Sequence, residues 1–261
     1  MFDPLRAAGA ALRCTHWPTL VDLRNLLEMH KPPIVTRSGA PLQFVGQAPR
    51  SPAFENKYEA RVYLRGEVQI RAATWHDLLN ALTWVVFPRA KAALNERHYR
   101  ALIEQRSAGA ANRGPVQDAL TLFDEGGVIV AASDRELLQY LREFRWKDLF
   151  WRNRARVRSE MRFHLFGHAL YEKALRPFTG ITARGTLFEV APEFFRSSLA
   201  EQLAHLDAMT AERLLDTAAF QSTRALAPVP ILGVPGWCAD NERESYYDNL
   251  DYFRPGRKPQ A

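Results

Sequence analysis

His76 and Asn80 stand four residues apart in Trp75-His-Asp-Leu-Leu-Asn-Ala-Leu-Thr-Trp84, a spacing that stacks both side chains on one face of a helix. They fall near the start of that helix, where unpaired N–H groups and the macrodipole favour anions. A phosphate or carboxylate held there would meet an imidazole able to exchange a proton near neutral pH, an amide to orient it and the indole of Trp84 as a stacking surface. A solvated face would carry Lys and Glu; this one carries His76, Asp77, Asn80, Thr83 and Trp84, and no Lys or Arg occurs between Arg71 and Arg89. The plainer alternative is that Asp77 is a capping-box partner of Thr74, while His76 and Asn80 bond a neighbouring loop.

Three further groupings have chemical potential. Asp118 and Asp124, with Glu125, flank a short apolar run; carboxylates at strand ends can hold Mg²⁺, although Asp124-Glu-Gly-Gly127 is also what a tight turn requires. His164, His168 and Glu172 repeat every four residues, so one helix face would offer two imidazoles and a carboxylate to a metal, as an alternative to a buried histidine bonded to an acid. Residues 142–162 hold eight Lys or Arg against three acids, nearly all of the chain's net +6. There Arg145, Arg152, Arg154, Arg156 and Arg158 interleave with Trp146, Phe150 and Trp151, and the arginines of 152–158 have no matching acids at helical spacing. Arginines pair with phosphates and indoles stack on bases, so this run is the candidate for nucleic-acid or anion contact; a solvated helix face is the alternative.

The elements that must position these groups follow from periodicity. Trp75, Leu78, Leu79, Leu82, Val85 and Val86 form the apolar stripe of the helix carrying His76, and further helices are expected over 19–30, 89–105, 133–151, 161–175 and 192–216. Alternation over 58–70, turning at Arg65-Gly66, and over 119–132, turning at Asp124–Gly127, predicts two hairpins. The expected fold is α+β: helices packed on a small, largely antiparallel sheet built from hairpins. The chain is read as a single domain over 1–261, with an irregular N-terminal segment over 1–18 and an extended Pro- and aromatic-rich arm over 228–261 laid on the body.

Four blocks in order, Trp75–Trp84 with Phe87-Pro88, Asp118–Glu125, Leu165–Lys173 and Leu232–Trp237, resemble the proteobacterial domain of unknown function 3025 family across nearly the whole chain. The resemblance implies a bacterial protein of this length and brings no activity, cofactor or substrate with it.

Composition sets the remaining bounds. A chain of 261 residues with 47% hydrophobic and 25% charged residues has ample material for a core. No secretory signal and no membrane-length apolar run are read, so a cytoplasmic address without membrane contact is expected. Cys14 and Cys238 are too few for a Cys-rich zinc site. No P-loop, Gly-x-Ser-x-Gly elbow or dinucleotide-binding turn occurs, so no cofactor is named. The leading expectation is a protein binding nucleic acid or another polyanion through an Arg-rich helix. The alternatives are an enzyme acting on a small phosphorylated or carboxylated substrate with His76 as acid/base, and an interaction protein using the Trp84 face. Convergence of His76, Asn80, Asp118, Asp124 and His168 on one concavity would favour catalysis.

Overall fold

The computed structural model describes residues 1–13, 15–49, 52–109 and 112–256. At its centre lies β3 (Gly127–Ala132), buried at every residue. It pairs antiparallel with β4 (Met161–Leu165) and parallel with β5 (Thr182–Glu189), which in turn pairs antiparallel with β6 (Ala227–Pro230). Successive side chains of a strand point to opposite faces, and β3 separates two apolar clusters accordingly: Val128, Val130 and Ala132 face one, Ile129 and Ala131 the other. A separate two-stranded parallel sheet joins β1 (Gln43–Gly46) to β2 (Glu67–Ile70).

Helices surround these sheets: α1 (Asp3–Ala11), α2 (Leu20–Met29), α3 (Tyr58–Arg65), α4 (Trp75–Val86), α5 (Pro88–Ser107), α6 (Pro115–Gly126), α7 (Arg135–Arg142), α8 (Arg154–Glu160), α9 (His168–Ala174) and α10 (Leu199–Leu215). The fold is α+β. α2 opens on a capping box of Thr19 and Asp22, and α10 on one formed by Ser198 and Glu201. Pro88 divides α4 from α5, because its ring disfavours helical backbone at Phe87, which sits at φ −123°, ψ 57°. α10 then packs on α5, and its Asp207 accepts hydrogen bonds from the Arg89 and Ala90 amides that start α5 (3.1 and 2.8 Å).

Several expected elements take other forms. The strands come from no hairpin, and the sheets mix parallel with antiparallel pairs. Residues 58–65 are helical, and Gly66, at φ 71°, is the left-handed C-cap of α3 rather than a hairpin turn. Asp124–Gly127 is likewise a helix-to-strand junction, because Ala119, Leu120 and Phe123 bury one face of α6. The expected helix over 161–175 divides into β4 and α9, which takes His164 and His168 off a common helix face. The Arg-rich run is not one helix. α7 ends where Phe144 adopts φ 60°, and a π-helical turn (Asp148–Arg152) precedes α8.

At the N-terminus, residues 3–11 form a helix where irregular chain was expected. Asp3 and Pro4 suit its first turn, and it buries Pro4, Leu5 and Ala8. The C-terminal arm contributes β6 and then winds through short 3₁₀ turns. Tyr252 donates to the Ile181 carbonyl (2.8 Å) and accepts from the Leu232 amide (2.9 Å), while Trp146 donates to the Arg254 carbonyl (2.8 Å). Among the described residues Cys238 is a free thiol; Cys14 lies outside them. Among the described residues, no helix is long and apolar enough to cross a membrane.

Candidate functional site

α4 and α9 pack side by side, and this brings His76 against His168. The two Nε2 atoms are 3.1 Å apart and the ring planes meet at 80°. On its other nitrogen, His76 Nδ1 lies 3.3 Å from Glu172 Oε2, one turn along α9. His168 Nδ1 lies 3.9 Å from Asp124 Oδ2, at the C-terminal end of α6. Asp124 in turn accepts from the Lys91 ammonium at 2.5 Å. Lys91 also donates to Asn80 Oδ1 (2.9 Å), and Asn80 Nδ2 donates to the Tyr58 hydroxyl (3.1 Å). Side chains from α3, α4, α5 and α6 thus form one hydrogen-bonded chain, Tyr58, Asn80, Lys91 and Asp124, which faces a second, His168, His76 and Glu172, across 3.9 Å at His168 Nδ1, a buried nitrogen with no hydrogen-bond partner.

The two chains lie along a cavity of about 740 Å³, within the range of small-molecule sites. His76, Asn80, Asp124 and His168 all line it, with His98, Thr121 and Glu125, and Lys57, Arg71 and Arg113 stand among its lining residues as cations. Arg71 is fixed by Asp77, which accepts from its guanidinium at 2.8 and 2.9 Å and from its backbone amide at 2.6 Å. Asp77 therefore holds Arg71 and makes no capping box with Thr74, whose side chain caps nothing.

Burial sets the charge states. His168 is 5% exposed, and burial lowers its pKa to about 4 against the opposing pull of Asp124, so the ring is neutral at neutral pH. Burial alone would raise the Asp124 pKa, but the neighbouring Lys91 and His168 hold it below the ordinary value. Lys91, 2% exposed, also lies 5.4 Å from the centre of the Trp84 ring, a cation–π distance.

Residues 42–257 match the model of a family described as a protein of unknown function (DUF3025). The chain belongs to the DUF3025 family. No curated protein and no solved structure matches it. In this DUF3025 chain, three of the four sequence blocks that suggested the family also line the cavity, through His76 and Asn80, Asp124 and Glu125, and His168.

Other sequence candidates fall elsewhere. Asp118 is exposed in the first turn of α6 and does not line the cavity. Trp84 is 1% exposed, so it backs Lys91 from inside and offers no outer stacking surface. His164 is buried on β4 opposite Ile129, and among the described residues no group of three His, Cys, Asp or Glu forms a metal-ligand set.

The five arginines of the basic run are ion-paired, mostly with acids distant in sequence. Arg145 and Arg152 meet Asp148; Arg154 and Arg158 meet Glu242; Arg156 meets Asp134 and Glu136. The expected shortage of acids at helical spacing does not hold for Arg152, which meets Asp148 four residues before it, or for Arg156, which has Glu160 four residues after it; Arg154 and Arg158 find their acid in space.

Lys91, His98 and Tyr58 were not singled out from sequence. Lys91, Asn95 and His98 do share helical spacing between alanines and leucine on α5. That pattern of polar groups inside an apolar stretch is the signal that could have found them.

Proposed function

We propose that the protein is an enzyme acting on a small substrate that carries a phosphate or carboxylate, bound in the cavity beside His76 and His168. The observation that carries this reading is the convergence of titratable groups from five helices on one cavity, with a buried Lys–Asp pair behind a pair of imidazoles; perturbed, interacting groups in a cleft are characteristic of active sites. Lys57 and Arg113 supply charge for the substrate's anionic group, Arg71 being already paired with Asp77. The imidazole pair is the reaction centre. A proton shared between its Nε2 atoms would be donated to a substrate oxygen, or the free imidazole would take one from a water.

Asn80, expected to orient substrate, acts one step back by holding Lys91. Asp124 neutralises that lysine and faces His168. A polyanion reading of residues 142–162 has less support than this one, because the arginines that suggested it are paired with carboxylates of the same chain.

Turnover of a panel of phosphomonoesters and carboxylic esters by wild type and His76→Gln tests the proposal. Activity is expected in wild type and should fall about 10²-fold or more in the variant, the usual scale for losing a proton-transfer group. His76 is half-buried, so the melting temperature should stay close to wild type. A wild type inert to the whole panel, or a variant as active as wild type, overturns the reading.

A further inference from the structure

We infer that Arg142, Arg213 and Arg224 form a second ligand site, one that takes the phosphate group of a small phosphomonoester. The three come from separate elements. Arg142 is the last residue of α7, Arg213 lies in the last turn of α10, and Arg224 sits in the 3₁₀ turn Thr223–Ala225 that precedes β6. All three line one cavity of about 370 Å³, which shares no lining residue with the cavity beside His76.

These arginines differ from the five of the basic run, each of which has an acid. Among the described residues, no Asp or Glu lines this cavity, and none of the three guanidinium groups is ion-paired or hydrogen-bonded to protein. Arg213 stands over the Phe188 ring, 5.6 Å from its centre, which holds the side chain without using a hydrogen-bond acceptor. Like charges gathered without a counter-charge repel, and an anion between them removes that repulsion.

One wall of the cavity is the end of the β5–β6 ladder, where two neutral donors join the three cations. β6 pairs with β5 only as far as Gly185 opposite Ala227. Pro228 and Pro230 lack an N–H, so the hydrogen-bonded pairs of this antiparallel ladder are Ala183 with Val229 and Gly185 with Ala227. The same alternation turns the Leu187 N–H towards the side that β6 no longer covers, in the cavity wall. Thr186 is 5% exposed and also lines the cavity, and its hydroxyl makes no hydrogen bond to a described residue.

Charge selects the ligand. A carboxylate brings one negative charge; a phosphomonoester brings about 1.5 to 2 at neutral pH, with three strong acceptor oxygens. The planar guanidinium fork matches those oxygens. Leu141, Phe144 and Leu226 line the rest of the cavity, so the body that carries the phosphate is partly apolar.

Calorimetric titration of the full-length protein with phenylphosphonate, a phosphomonoester mimic with no ester bond to hydrolyse, and with benzoate tests the inference. Wild type should bind phenylphosphonate at this site about 10-fold or more tightly than benzoate. Arg213→Gln and Arg224→Gln should each weaken that binding about 10-fold, the scale of a lost hydrogen bond to a charged group, and the double variant should lose one equivalent. All three arginines are exposed, so melting temperatures should stay close to wild type. Arg113→Gln, in the cavity beside His76, should leave this equivalent in place, which separates it from any anion bound there. The inference is overturned if the double variant binds phenylphosphonate as wild type does, if neither binds it, or if benzoate binds equally well. A single-stranded oligonucleotide that needs these arginines, with no binding of phenylphosphonate, would overturn it in favour of nucleic acid.

Discussion

Lys91 shows how much of the site is fixed by single residues. An ammonium removed from water costs several kcal/mol, and Lys91 is 2% exposed. Asp124, Asn80 and the face of Trp84 offset that cost. Removing one partner of such a pair is worse than removing both, because a charge is left buried without compensation. Lys91→Met should therefore destabilise the protein by about 3–5 kcal/mol at neutral pH, measured from the denaturant midpoint, and adding Asp124→Asn should recover part of the loss. A cost below about 1 kcal/mol for Lys91→Met, the level of a surface pair, would mean the pair does not hold the cavity wall together. In the sequence the only sign of this is the spacing of Lys91, Asn95 and His98 among alanines and leucine, against the usual reading of a helical lysine as solvent-exposed. His76 and Asn80 were visible because their spacing on α4 is local. The partners they meet come from 11 to 96 residues away, and no periodicity reports that.

At the scale of elements, α4 was legible because six apolar residues repeat at helical spacing, and α2 because Thr19 and Asp22 form a capping box. Residues 58–65, 119–126 and 161–165 were not. Short segments fit both the two-residue and the 3.6-residue period, and the choice was made by tertiary pairing, chiefly the demand of β3 for neighbours on both sides. Gly167 marks where such pairing controls the site. A Cβ there would collide with the Glu125 carbonyl and the Gly127 amide, so only glycine lets the start of α9 lie against the α6–β3 junction and bring His168 to Asp124. Gly167→Ala should cost about 1–3 kcal/mol, as forced overpacking does. Gly9→Ala is the control. It sits in α1 with open space around it and should stabilise by about 0.5–1 kcal/mol. Equal effects at the two positions would remove the special role given to Gly167. Thermal unfolding of both variants makes the comparison.

Across the whole molecule, the two apolar clusters divided by β3 each depend on elements at the other end of the chain, and burial at such long-range contacts sets the response to pH. His164, buried on β4, has its pKa lowered to about 4, chiefly by desolvation. Asp207, which joins α10 to α5, has its pKa raised to about 6, again chiefly by desolvation. The signs oppose. Below the unfolded histidine value of about 6.5, the unfolded chain binds a proton that folded His164 refuses, so stability is lost as pH falls towards 4. Asp207 does the reverse. Its folded carboxyl takes up a proton near pH 6, before the unfolded one does near its ordinary value of 3.8, so acidification through that window adds stability. Each shift corresponds to about 3 kcal/mol at most. Relative to wild type, His164→Leu should therefore gain stability on going from pH 7 to pH 4, and Asp207→Asn should lose it, by similar amounts. Referring each variant to wild type cancels groups common to both, including the similarly lowered His168. Denaturant unfolding at the two pH values measures both differences, and a shared sign would show that burial at these positions does not govern the acid limb.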